Sequence, residues 1–131
     1  MDCKSCNCLW VKVLRELYEK LSLTRGQIAV ASELLAREYF SGNKTESIIE
    51  AVKLSLQKVD LDGEVVNEND IYKVKVPGVD CQLRNICPLP FYVAASVRIL
   101  TERKIYVVSK ENVVDFKEGY CSFDMKVVDE G

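Results

Sequence analysis

The stretch CPLPFYVAASVRILTE, residues 87–102, decides how this chain folds. Pro88 and Pro90 suit the first turn of a helix, where a backbone N–H has no partner within the helix. From Phe91 onward, Arg98 is the one charge before Glu102. Phe91, Tyr92, Val93, Ala94, Ala95, Val97, Ile99 and Leu100 cover most of a helical circumference. The spacing predicts a central helix over 91–102, buried on several sides. The rest of the chain must supply its walls.

Toward the C-terminus, Ile105-Tyr106-Val107-Val108 and Val113-Val114-Asp115-Phe116 read as one bent strand or two. Lys117-Glu118-Gly119 turns the chain. In the last strand Cys121, Phe123, Met125 and Val127 face one way, and Tyr120, Ser122, Asp124 and Lys126 the other. Toward the N-terminus, Tyr72, Val74 and Val76 alternate with Ile71, Lys73 and Lys75, a strand with one wet face that Pro77-Gly78 ends. Asp62-Gly63 is a turn signal before it.

Three helices precede the strands. Trp10, Val13, Leu14, Leu17, Tyr18 and Leu21 recur at three- and four-residue spacing, one helical stripe. Thr24 with Gln27 fits a capping box, and Leu23 can pack on Ile28 as a hydrophobic staple. The second helix runs through Ile28, Ala31, Leu35 and Tyr39 to Gly42. Asn43 with Glu46 opens the third, with Ile49, Val52, Leu56 and Val59 as its apolar face. The expected class is α+β: three N-terminal helices, an antiparallel sheet of about four strands, and one buried helix between the strand pairs.

At 131 residues, 48% apolar and 29% charged, the chain is long enough for one domain with a real core. We divide it into a cysteine-containing segment, 1–8, and a single α+β domain of ligand-binding type, 9–131. The sequence has no histidine, which removes Ser–His, Cys–His and His-ligated metal chemistry. Net charge is −2, spread without a basic arm, so nucleic acid is not an expected partner. Lys12 interrupts Leu9-Trp10-Val11, and the uncharged stretch between Arg84 and Arg98 is shorter than a bilayer requires. A cytoplasmic protein without a membrane partner is the expectation.

The order of elements, with three local signals, resembles the 4-vinyl-reductase-type small-molecule-binding domain. The signals are Asp80-Cys81 after a strand, Cys87-Pro88 opening the buried helix, and the ending Glu118-Gly119-Tyr120-Cys121-Ser122-Phe123. The superfamily ends on a similar Gly-x-Cys-x-Phe strand. It includes phenol-sensor domains and archaeal regulators, and TRAPP-like vesicle-tethering subunits share the topology. The resemblance covers residues 45–128 well and the first helices loosely. It implies a dimeric binding module rather than an enzyme. In zinc-containing members one Cys before the buried helix joins a Glu-x-x-Cys pair and the Cys of the final Cys-x-Phe. Cys121 matches the last of these, and Cys81 or Cys87 the first. The Glu-x-x-Cys positions fall on Lys110 and Val113, so the family's tetrahedral site is incomplete.

Six cysteines leave several readings open. Cys3, Cys6 and Cys8, spaced CxxCxC, read first as a terminus with exposed thiols or a disulfide, and second as a metal or iron–sulfur corner. Cys81 and Cys87 bracket a short connection into a helix N-terminus, which favours an anion such as thiolate. Cys121 reads first as a small buried hydrophobe. Phe91, Tyr92, Ala95, Tyr106, Phe116 and Phe123 suit an apolar ligand pocket between helix and sheet, or plain core. Asp115 and Glu118 read as a solvated edge.

The resulting expectation is a non-catalytic small-molecule or redox/metal sensing domain, homodimeric through its first helices, with zinc as the one cofactor the thiols suggest. The alternatives are a metal or iron–sulfur protein using the CxxCxC cluster, and a tethering-type assembly adaptor. An enclosed cavity beside Phe91, Tyr92 and Ala95 favours the ligand reading. A filled core with a large apolar face favours the adaptor.

Overall fold

A computed structural model describes residues 9–78, 85–108 and 111–128, apart from the side chains of Trp10 and Val11. The segment 1–8 and Cys81 lie outside the described residues. The order is α1 (Leu9–Lys20), α2 (Arg25–Phe40), α3 (Ile48–Lys58), β1 (Glu64–Glu68), β2 (Ile71–Pro77), α4 (Pro88–Thr101), β3 (Ile105–Val107), β4 (Asp115–Lys117) and β5 (Tyr120–Val127). Helices and strands segregate into an α+β fold with an antiparallel sheet, as the patterning requires.

The buried helix is α4. It packs on α2 and α3 on one side and on β3 and β5 on the other. Tyr92 through Val97 are all buried, together with Pro90 and Leu100. Small residues at 94–96 let the neighbouring backbones approach closely. Glu102, in the left-handed region at φ 60°, stops the helix, and its N–H returns to the Arg98 carbonyl.

The sheet has five strands rather than about four, in the order β1-β2-β5-β3, with β4 also on β5. β2 takes one edge of β5 from Ile71↔Lys126 to Pro77↔Tyr120. β3 and β4 share the other edge, pairing at 125–127 and 120–122. The two segments read as one bent strand or two are thus two pieces of one interrupted edge. The hairpin turn between β1 and β2 is Asn69-Asp70, with Asn69 at φ 59°. Asp62-Gly63 instead leads into β1. A Cβ on Gly63 would stand 2.7 Å from Leu56 Cδ1 and 3.1 Å from the Lys75 carbonyl oxygen, so only glycine lets the chain pass there. Val74, Val76, Phe123, Met125 and Ile105 face α4 and are buried, while Lys73, Lys75 and Lys126 are exposed.

Two helix faces differ from their sequence reading. α2 buries Ile28, Ser32, Ala36 and Phe40, one ridge at four-residue spacing, and exposes Ala31 and Leu35. Ser32 and Ala36 are small enough for α2 to sit close on α4, so packing selects that ridge over the more apolar one. The third helix opens at Ser47, whose hydroxyl accepts from the Glu50 N–H at 2.9 Å, not at Asn43 with Glu46. The Thr45 N–H donates to the Leu100 carbonyl at 2.9 Å, which ties the preceding segment to the end of α4. The start therefore moves on, Ile48 turns inward and Ile49 outward. The capping box at Thr24 and Gln27 forms as read, with both reciprocal bonds present. Leu23 packs against the small cluster that contains Ile28.

Candidate functional site

The described cysteines lie at the end of the sheet where α4 begins. Cys87 is the N-cap residue of α4, half-buried, and its side chain makes no capping bond. It touches both the main core and a small second cluster of Leu14, Ile28 and Ile86. Pro88 and Pro90, the first and third residues of α4, have no N–H. The helix start therefore offers an anion fewer backbone donors than an ordinary N-terminus. Cys121 is half-buried on β5, in register with Val76 and Phe116. A Cβ on Gly78 would stand 3.5 Å from its sulfur. Neither thiol is in a disulfide.

Both ends of the connection between β2 and α4 are held. The Gly78 N–H donates to the Gly119 carbonyl at 3.0 Å. At the other end Arg25 Nε donates to the Asn85 carbonyl at 2.8 Å, and Arg25 Nη2 to the Glu111 carbonyl at 2.6 Å. Asn85 Nδ2 donates to the Tyr18 hydroxyl at 2.7 Å. One guanidinium thus joins the start of α2, the entrance of α4 and the segment between β3 and β4. Sequence reading misses Arg25, because its partners lie 60 and 86 residues away. No local signal marks such a residue.

Of the six residues assigned to a pocket, Tyr92, Ala95 and Phe123 belong to one buried cluster, and Phe91 packs against it. Tyr92 points into the helical layer, where its hydroxyl donates to the Ser55 carbonyl at 2.7 Å and its ring meets Tyr39 edge-on. Phe123 approaches α4 from the sheet, and Ala95 is buried between the layers. An enclosed space of water size would leave accessible area on its walls, and Tyr92, Ala95 and Phe123 keep 5%, 1% and 3%. Phe91 and Phe116 are half-buried. Tyr106 is 48% exposed on the outer face of β3, beneath the Arg98 guanidinium at 4.7 Å. Arg98 Nη1 also donates to the Ile105 carbonyl at 2.9 Å, and its Nη2 lies 3.3 Å from Glu33.

Among the described residues no three Cys, Asp or Glu side chains gather to hold a metal ion. Cys87 and Cys121 alone do not make a zinc set. Cys3, Cys6, Cys8 and Cys81 lie outside the described residues, and with them the CxxCxC reading. Among the described residues no helix is long and apolar enough to cross a membrane.

Apolar surface collects instead on the first two helices. Leu9 and Leu21 on and beside α1 are each 71% exposed, and Val30 and Leu34 on α2 are 60% and 58% exposed. No protein-family model matches the chain, and no curated protein does.

Proposed function

We propose that the chain is a non-catalytic binding module of the 4-vinyl-reductase type that acts by assembly, as a homodimer formed through its first two helices. The observation that carries this reading is the contrast between a filled interior and uncovered Leu9, Leu21, Val30 and Leu34. Apolar area left open on a small domain marks an interaction surface. The close packing of Tyr92, Ala95 and Phe123 favours assembly over a ligand held between helix and sheet. Light scattering over a micromolar dilution series tests it. The expected result is a dimer that dissociates on dilution, and a monomer at every concentration overturns the reading.

A second reading, redox or metal sensing by Cys81, Cys87 and Cys121, is favoured by the position of Cys87. Its side chain touches both apolar clusters, so a modification there disturbs both. Metal analysis with a thiol count on native protein separates bound metal, disulfide and inert thiol. Mass mapping of alkylated cysteines against pH then assigns reactivity. Slow alkylation of both Cys81 and Cys87, without metal or a bridge, would leave them as packing residues.

A further inference from the structure

We infer that the open edge of β1 takes up an extended, basic segment of a partner protein as a further strand of the sheet. This edge uses neither of the first two helices, so it stands apart from the homodimer surface proposed above.

β1 is the outermost strand of the sheet, paired on one side with β2. The direction of its remaining backbone groups follows from the register. The Val127 N–H donates to the Asp70 carbonyl at 2.9 Å, one step beyond the pair Ile71↔Lys126. Tyr72, Val74 and Val76 therefore direct their backbone groups to β5, and Ile71, Lys73 and Lys75 direct theirs to β1. Their partners Glu68, Val66 and Glu64 are satisfied in this way. The N–H and C=O of Val65 and Asn67 point away from the sheet, and no described hydrogen bond takes them. Such groups form a template for strand addition.

Charge selects the occupant. Between Lys58 and Lys73 the chain carries Asp60, Asp62, Glu64, Glu68 and Asp70, all exposed, and no Lys or Arg. The neighbouring lysines turn elsewhere. Lys58 Nζ stands 5.2 Å from the centre of the Tyr39 ring, and Lys73 Nζ 3.6 Å from Asp124. Lys75 opposes Glu64 in register, yet its Nζ stands 4.5 Å from the centre of the Tyr120 ring. None of the five carboxylates forms an ion pair among the described residues. A second copy of β1 is a poor occupant, because antiparallel pairing about Val66 sets Glu64 of each copy opposite Glu68 of the other. Glu64, Val66 and Glu68 are exposed on one face of the strand, and Val65 packs toward the core on the other. The matching segment carries Lys or Arg at two positions four residues apart, with an apolar side chain midway between them.

The test titrates the 15N-labelled full chain with the peptide Thr-Lys-Thr-Val-Thr-Lys-Thr, which reads alike in both directions, and follows amide exchange. Protection of the Val65 and Asn67 N–H groups at saturation is expected. Kd should rise about tenfold in the doubly substituted Glu64→Gln, Glu68→Gln protein. The same peptide with Glu in place of both Lys should leave the two amides unprotected. Binding of the basic peptide without protection of these amides is attraction to charge alone and overturns the strand addition, as does equal protection by the acidic peptide or no binding at all. Protection that grows with protein concentration and needs no peptide makes a second copy the occupant, and equally overturns it.

Discussion

The Tyr92 hydroxyl donates to the Ser55 carbonyl at 2.7 Å from a site buried between α3 and α4. Burial pushes its pKa from the ordinary 10.0 up to about 12, with the Ser96 hydrogen bond pulling back and Tyr39 adding to the rise. The fold thus stabilises the neutral phenol. That contribution is complete below pH 10 and is lost as pH rises from 10 toward 12, because the unfolded chain ionises first. Tyr92→Phe removes the donor and strands the Ser55 carbonyl. It should cost about 1–2 kcal/mol at neutral pH, and its stability should fall less steeply than wild type above pH 10. Denaturant melts at pH 7 and across pH 9–11.5 check both, and an equal alkaline slope would remove the assignment. Nothing local in the sequence marks this bond, since its partners lie 37 residues apart. Thr24 with Gln27 was legible for the opposite reason: donor and acceptor lie three residues apart.

Among the elements, α4 and the β4–β5 hairpin were the most legible. A helix apolar all round has no face to misassign, and Glu118-Gly119 is a two-residue turn joining paired strands at Lys117↔Tyr120. Both turn residues have positive φ, 54° and 83°. Asn at the first position tolerates this better than Glu, so Glu118→Asn should stabilise the protein by about 0.5–1 kcal/mol. A thermal melt showing no gain would deny that conformation. Gly63 behaves in the opposite sense. Gly63→Ala drives a methyl into Leu56 and the Lys75 carbonyl and should cost about 1–3 kcal/mol, read as a lower denaturant midpoint. The face of α2 was not legible, because adjacent ridges were both apolar enough, whereas on α3 Val52 and Leu56 are buried as read and Ile49 turns outward. The close approach of α2 to α4 chose the ridge with Ser32 and Ala36, a choice made by size rather than hydrophobicity.

Across the whole molecule, stability should be uneven. α4 is enclosed on both sides, whereas among the described side chains of α1 Leu14 alone is buried. Native-state amide exchange should place residues 92–100 among the slowest and residues 12–20 among the fastest helical amides, with α1 slowing as concentration drives dimerisation. Concentration-independent exchange in α1 would separate that helix from the interface.

Apolar period, capping residues and turn residues act over a few positions, and by themselves they determined the α+β class, the buried helix, the wet face of β2 and the final strand. Contacts between residues far apart in the chain decided the rest. β3 and β4 share one edge of β5 because β2 already occupies the other. Arg25 bridges the entrance of α4 and the β3–β4 segment only once the helices are stacked. Among the aromatic residues of the C-terminal half, Tyr92 and Phe123 are buried and Tyr106 is exposed, because α4 presents Tyr92 to the helices and receives Phe123 from the sheet. Local spacing sets which way a side chain leaves its own element, and only the assembled layers set what it meets there.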